Sequence, residues 1–172
     1  DYALLISTNA GAWRYLIGDT IKFTDKERCE ILITGRTKHF LSLVGEHLSV
    51  ENMNRAVQMV GDEMNISIPE YTVVGEPYGT FFAHHWYIAS DDKINSEILR
   101  RKIDEKLKEI NDDYAVERGS ALKEVLLDIL PEESFMEFMR LKGKVGGQHK
   151  FPRVLKGRML EDWNKYLKGQ LV

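Results

Sequence analysis

The sequence predicts an α+β protein: a small mixed β-sheet flanked by helices, preceded by a short antiparallel β-meander. Residues 3–34 hold four strand-like runs separated by turn residues, with no helical period among them. From residue 45 onward the order reads helix, strand, strand, helix, strand, helix, helix, which suits a mixed sheet with helices packed on it. With 172 residues, 43% hydrophobic and 30% charged, the chain is long and apolar enough to bury one ordinary core.

The runs 3–8, 13–17, 19–24 and 29–33 read as strands, with Asn9-Ala10-Gly11 and Thr24-Asp25-Lys26-Glu27 as turns. Gly18-Asp19 reads as a further turn, joining two short strands. Cys29, in an apolar run, reads as a small buried hydrophobe rather than a nucleophile. The third strand ends in Gly35-Arg36, and the short apolar run 40–44 is closed by Gly45.

Ser49 offers an N-cap and Glu51 suits the positive end of a helix over 50–64, with Met53, Ala56, Val57 and Val60 facing inward. Strands follow at 71–76 and 80–89, joined by a loop through Gly75, Pro77 and Gly79. Asn95-Ser96 begins a helix to about residue 111, and residues 112–121 read as polar and irregular. Residues 125–130 form an apolar strand candidate. Pro131-Glu132-Glu133 then opens a helix whose face holds Phe135, Met136, Phe138, Met139 and Leu141. Gly143 stops that helix, a glycine-rich loop follows over 143–150, and a last helix occupies 157–168.

Composition narrows the function. A net charge of −3 gives no global case for nucleic-acid binding. No run approaches the roughly 20 apolar residues that span a bilayer, and no signal-peptide pattern opens the chain. The single cysteine excludes an intramolecular disulfide and fits a reducing, cytoplasmic compartment. The chain has no initiator Met and enters a strand at once, which leads us to expect the C-terminal piece of a longer polypeptide.

Asp19 is the first candidate site residue. An unpaired carboxylate in an apolar strand is costly, unless it faces a hydroxyl-rich ligand such as a ribose. The Arg36 guanidinium, one strand further on, could then serve a sugar or a phosphate. The competing reading is an ordinary Gly-Asp turn. The second candidate is the C-terminal loop. Nine Lys/Arg between residues 140 and 168 face only Glu161 and Asp162. That excess is either a solvated basic face or a site for a polyanion such as a nucleotide triphosphate, with glycine amides and a mobile lysine at the phosphates. The spacing is not that of a Walker loop.

His84-His85 are strand neighbours and point to opposite faces, so they do not readily share a metal; one packed and one exposed histidine is the expectation. No metal-binding set, and no Ser-His-Asp or Cys-His set, can be assembled from the spacing.

These motifs together resemble a family. Thr8-Asn9-Ala10-Gly11, Trp13-Arg14-Tyr15 and Gly18-Asp19 look like the auxin-responsive, or Gretchen Hagen, acyl acid amido synthetases. Gln148-His149-Lys150-Phe151-Pro152-Arg153 resembles that family's Gln-aromatic-Lys-x-Pro-Arg segment, about 130 residues downstream, with His149 in the aromatic position. Gly35-Arg36, Gly45 and Glu51 are similar to a spacing of the wider adenylate-forming superfamily. Its hinge position falls on Lys38, within Thr37-Lys38-His39, where an acidic residue is frequent.

The resemblance implies a division of the chain: 1–35 as the last strands of a large N-terminal domain that is missing, 36–38 as hinge, and 39–172 as a C-terminal lid. It implies an ATP-dependent ligase, with magnesium accompanying ATP, that adenylates a carboxylic acid and passes the acyl group to an amino acid amine. Asp19 would bind the ribose hydroxyls, and Lys22 and Arg36 would lie near the ribose or phosphates. Lys150 would be the catalytic lysine of adenylation, and lid rotation would exchange its loop for the surface around Gly45. Without the large domain, the 172 residues alone are expected to be inactive. Two alternatives stay open: a non-catalytic nucleotide-binding or interaction module of the same fold, and a thioester-forming acyl-CoA ligase.

Overall fold

The computed structural model of the chain describes residues 2–36, 40–143 and 150–170. It is an α+β structure with two three-stranded sheets and a two-stranded ribbon between them in sequence. Among the described residues no helix is long and apolar enough to cross a membrane.

The N-terminal sheet is an antiparallel meander of β1 (Tyr2–Ile6), β2 (Tyr15–Asp25) and β3 (Glu30–Arg36). The four expected runs are therefore three strands, and Gly18-Asp19 is not a turn. Gly18 lies inside β2 at φ +90°, a conformation open to glycine at little cost. Ala3 pairs with Thr20 but Leu5 with Leu16, so β2 carries extra residues against β1 here. The glycine signal was real, but it marks a bulge. The turn after β2 is set by Asp25, whose carboxylate accepts the amides of Glu27 (2.9 Å) and Arg28 (3.0 Å). Cys29 sits in that turn at φ +54°, exposed rather than buried.

A ribbon of β4 (Phe40–Leu41) and β5 (Leu48–Ser49) leads into α1 (Val50–Met64). Ser49 is its N-cap, and the side chain of Asn52 reaches back to the Ser49 amide, closing a capping box. Met53, Ala56, Val57 and Val60 are its buried residues, as their spacing predicts.

The central sheet has the order β6 (Glu70–Tyr78), β7 (Phe81–Ala89), β8 (Leu122–Leu130). β6 and β7 form an antiparallel hairpin, and β8 pairs in parallel with β7 after a helical crossover. That crossover contains α2 (Ser96–Ile110) and a helix that polarity concealed, α3 (Asp112–Gly119). Asn111 explains why α3 forms: it ends α2, and its side chain accepts the Tyr114 amide at 2.8 Å to cap the next helix. One side chain of α3, Tyr114, is buried, too few for a periodic signal.

Strand alternation sorts the sheet into two cores. Val73, Trp86, Ile88 and Val125 pack under α1 and α2. Val74, Tyr87 and Ala89 face α4 (Glu132–Leu141) and α5 (Gly157–Leu167), with Phe135, Phe138 and Trp163 between them. Met136 and Leu141, expected on the inner face of α4, are exposed.

Gly75 of β6 makes room for the ribbon. A Cβ there would lie 2.5 Å from the Leu43 side chain. Gly75→Ala should cost an amount at the low end of roughly 1–3 kcal/mol, because a leucine side chain can rotate away. Urea unfolding of the variant checks this, and an unchanged midpoint would show that Leu43 is not tightly seated.

Candidate functional site

The meander places two of the candidate residues opposite one another. Asp19 and Arg36 are cross-strand partners in the β2–β3 ladder, at the end of β3. Asp19 is half-buried and shares a face of β2 with the buried Ile21. Lys22 is exposed and pairs with Leu32. Three residues along a pleated strand, it projects from the face opposite Asp19. Lys38, the expected hinge, lies outside the described residues.

Lys150 is positioned from the other side of the central sheet. The stretch 151–155 runs as a strap along the free edge of β6, with Val73 and Val154 in a parallel bridge. The Val73 amide donates to the Arg153 carbonyl (2.9 Å), and the Leu155 amide donates to the Val73 carbonyl (3.1 Å). Thr72 donates its hydroxyl to the Pro152 carbonyl at 2.8 Å. Phe151 and Leu155 are buried beside Trp163. Lys150 is exposed at the head of this strap, directly before the anchored residues 151–155. Residues 144–149 of the glycine-rich loop, with Gln148 and His149, lie outside the described residues.

Three of the basic residues in the C-terminal segment have acidic partners within the chain. Arg140 pairs with Glu133 at 2.7 Å and Lys142 with Asp162 at 2.5 Å, which holds the Asp162 carboxyl below its usual range. Arg153 pairs with Glu70, donates to the Tyr71 carbonyl at 3.0 Å and lies 4.3 Å over the Tyr71 ring. Its task is to lock the strap to β6. Part of the apparent polyanion site is therefore internal pairing, to Glu133 and Asp162 nearby and to the sequence-distant Glu70.

One buried hydrogen-bonded pair has no counterpart in the sequence reading, although a packed histidine at 84 or 85 is expected there. Glu46, in the turn between β4 and β5, and His84 of β7 are both fully buried, with His84 Nε2 2.9 Å from Glu46 Oε1. The same carboxylate accepts the amides of Leu43 (2.9 Å) and Val44 (3.0 Å). Burial opposes its ionisation, but the His84 hydrogen bond and the backbone amides outweigh that and bring it down to about 2. His84 is the packed histidine of the expectation, but neighbouring His85 is not exposed: its side chain is largely covered and meets Asp128 at 2.9 Å and Glu76 at 3.5 Å.

The depressed Glu46 value is a pH prediction. A carboxyl near 4.5 when unfolded and about 2 when folded stabilises the fold above pH 4.5. That contribution, on the order of 3 kcal/mol, is lost as pH falls from 4.5 toward 2. Urea midpoints measured from neutral pH downward should drop through this window, and less steeply in Glu46→Gln. Equal slopes would contradict the assignment.

Among the described residues no group of three or more His, Cys, Asp or Glu could hold a metal ion. The structure brings Asp19 and the Arg36 backbone position together across one ladder, and Lys150 stands apart from them at the head of the strap on β6.

Comparison with known proteins agrees with this architecture. The GH3 family C-terminal domain matches residues 51–159, and the GH3 family central domain matches residues 1–34. The expected hinge at 36–38 falls in the interval between the two matches. Among solved structures, a GH3.15 acyl acid amido synthetase superposes with TM-score 0.70 at 18% identity, covering 98% of this chain and 33% of that one. AtGH3.15 acyl acid amido synthetase in complex with 2,4-DB gives TM-score 0.69 at 19% identity, covering 98% and 32%. At such identities the likeness shows the fold, and the chain spans about a third of the length of the structures it matches. Comparison with curated proteins returned no match. With one family domain matching more than half of its length and another matching its N-terminal strands, the chain belongs to the GH3 family and carries its C-terminal domain.

Proposed function

We propose that the chain is the C-terminal part of a cytoplasmic, ATP-dependent acyl acid amido synthetase, with residues 39–172 acting as the lid over a nucleotide cleft. The observation that carries this reading is the strap that presents Lys150, together with the Asp19–Arg36 cross-strand pair, in a chain of GH3 fold.

In the first step a substrate carboxylate oxygen attacks the α-phosphorus of ATP. A bond forms from that oxygen to phosphorus, the bond to the bridging oxygen breaks, and pyrophosphate leaves. The Lys150 ammonium stabilises the negative charge shared by the attacking carboxylate and the phosphates, an electrostatic role without proton transfer. Asp19 accepts hydrogen bonds from the ribose hydroxyls, and Arg36 supplies positive charge beside it. Lys22, on the opposite face of β2, contributes at most a long-range positive potential. Magnesium would accompany the triphosphate and help to neutralise its charge. In the second step the lid rotates about the segment at Lys38, and the turn at Gly45 replaces the lysine loop at the cleft. An amino acid amine then attacks the acyl carbon and expels AMP.

Pyrophosphate exchange by the full-length protein, screened over carboxylic acids and followed by product analysis with amino acids and with coenzyme A, tests this. Acid-dependent exchange and an amide product are expected. A thioester product would favour the acyl-CoA ligase reading, and no exchange with any acid would favour a non-catalytic module. The 172 residues by themselves should form no acyl-adenylate, since they lack the rest of the cleft. Turnover by them at the full-length rate would contradict the division into lid and large domain.

A further inference from the structure

We infer that the buried Glu46–His84 pair is a positioning device that sets the Gly45 turn for the amine-transfer step. This rests on the proposed function, in which that turn faces the cleft once the lid has rotated.

Glu46 is directed inward, away from any substrate. Its carboxylate gathers the Leu43 and Val44 amides of its own turn and fastens them to His84 in the middle of the central sheet. Burying an ionised carboxylate carries a desolvation penalty, and it is offset only while the turn keeps the Leu43 and Val44 amides and the His84 ring on that carboxylate, which ties the turn to one shape. His84 compounds the cost. Its Nδ1 is buried with no hydrogen-bond partner among the described residues, so the imidazole is committed to Glu46 alone.

The turn is also held in an uncommon backbone shape. Glu46 is flanked by Gly45 at φ +117° and His47 at φ +40°, both in the left-handed region. Further contacts brace it. Leu43 packs against Gly75 of β6, and α3 closes the outer side, with Asp113 Oδ2 3.6 Å from His47 Nδ1 and the Glu117 carboxylate beside Gly45. A turn fixed from β6, β7 and α3 presents the Gly45 backbone as a rigid feature. Such rigidity matters for chemistry, because small misplacements of a surface that guides an attacking group lose rate steeply.

The location separates this device from the lysine strap. His84 lies on the sheet face under α1 to α3, with its ring 5.9 Å from that of Tyr114. Phe151 and Leu155, which fix Lys150, are packed on the other face with α4 and α5. Loosening Glu46 should therefore disturb one half-reaction and leave the other.

The test uses Glu46→Ala and the milder Glu46→Gln in the full-length protein. Each is assayed for pyrophosphate exchange and, separately, for attack of an amino acid on preformed acyl-adenylate. Exchange should stay within about threefold of the unsubstituted protein. Transfer should fall by about 10- to 100-fold in Glu46→Ala and by less in Glu46→Gln, through the rate at saturating amine. If Glu46→Ala does not fold, Glu46→Gln decides alone, because its amide retains an acceptor for the turn. Equal losses in both half-reactions, or unchanged transfer in a folded variant, would overturn the inference while leaving the proposed function standing. An unsubstituted protein that adenylates but forms no amide would instead overturn the proposed function.

Discussion

Lys150→Ala in the full-length enzyme should lower acyl-adenylate formation by about 10²–10³-fold, the usual loss when one preorganised electrostatic group is removed from a reacting centre. The structure makes this substitution clean. Lys150 is exposed, and the hydrogen bonds of the strap come from the backbone of Arg153 and Leu155 and from Thr72 to Pro152, none of which involves the lysine side chain. Unfolding midpoints should therefore match the unsubstituted protein within about 0.5 kcal/mol. Pyrophosphate exchange with a saturating acid checks the rate. A variant that exchanges at the normal rate would remove Lys150 from the mechanism, whatever the fold.

Trp163→Ala should have the largest effect on stability, costing about 3–5 kcal/mol. The indole is fully buried, and its ring lies 5.0 Å from Phe138, 5.2 Å from Phe135 and Phe151, and 5.7 Å from Tyr87. It thus joins α4, α5, β7 and the strap at one point, and its removal leaves a cavity that no single neighbour can fill. Because Phe151 directly follows Lys150, the loss should also reach adenylation at temperatures where the variant is still folded. Trp163→Phe is the informative control. The indole N–H has no hydrogen-bond partner among the described residues, so phenylalanine sacrifices volume but no hydrogen bond. Urea unfolding should rank the three proteins in that order. A Trp163→Ala midpoint near that of the unsubstituted protein would mean that the second core does not hold the strap.

Much of this fold is legible in the sequence wherever local chemistry decides the outcome. Ser49 and Asn95 each cap a helix because a short polar side chain meets a free amide, and Gly143 at φ +66° follows the end of α4. The spacing of Met53, Ala56, Val57 and Val60 identifies the buried side of α1 for the same local reason. What stayed hidden depends on partners distant in sequence. Gly18 signalled a departure from regular backbone, but only the pairing with β1 makes it a bulge instead of a turn. Arg153 counts toward the basic excess until Glu70 and Tyr71, the latter 82 residues away, are found to occupy it. Asn111 both ends α2 and starts α3, and the second role is hidden because α3 buries only Tyr114. Glu46 and His84 are 38 positions apart, and nothing local to either identifies the other as its partner.

For the candidate site the same distinction holds. The Asp19–Arg36 pairing follows from two adjacent strands and was within reach of sequence reasoning. The anchoring of Lys150 was not, because it depends on an irregular strap that joins the edge of β6 and shows no periodicity. The motif Lys150-Phe151-Pro152-Arg153 becomes intelligible once each residue is placed. Phe151 is buried, Pro152 offers a carbonyl to Thr72, Arg153 grips β6, and Lys150 is left facing outward.

The most direct test of the account compares Lys150→Ala with the unsubstituted enzyme in the second half-reaction alone, by supplying preformed acyl-adenylate and an amino acid and timing amide formation. A lysine that serves adenylation and then leaves the cleft predicts the same rate in both proteins. A loss as large as that in pyrophosphate exchange would contradict the account.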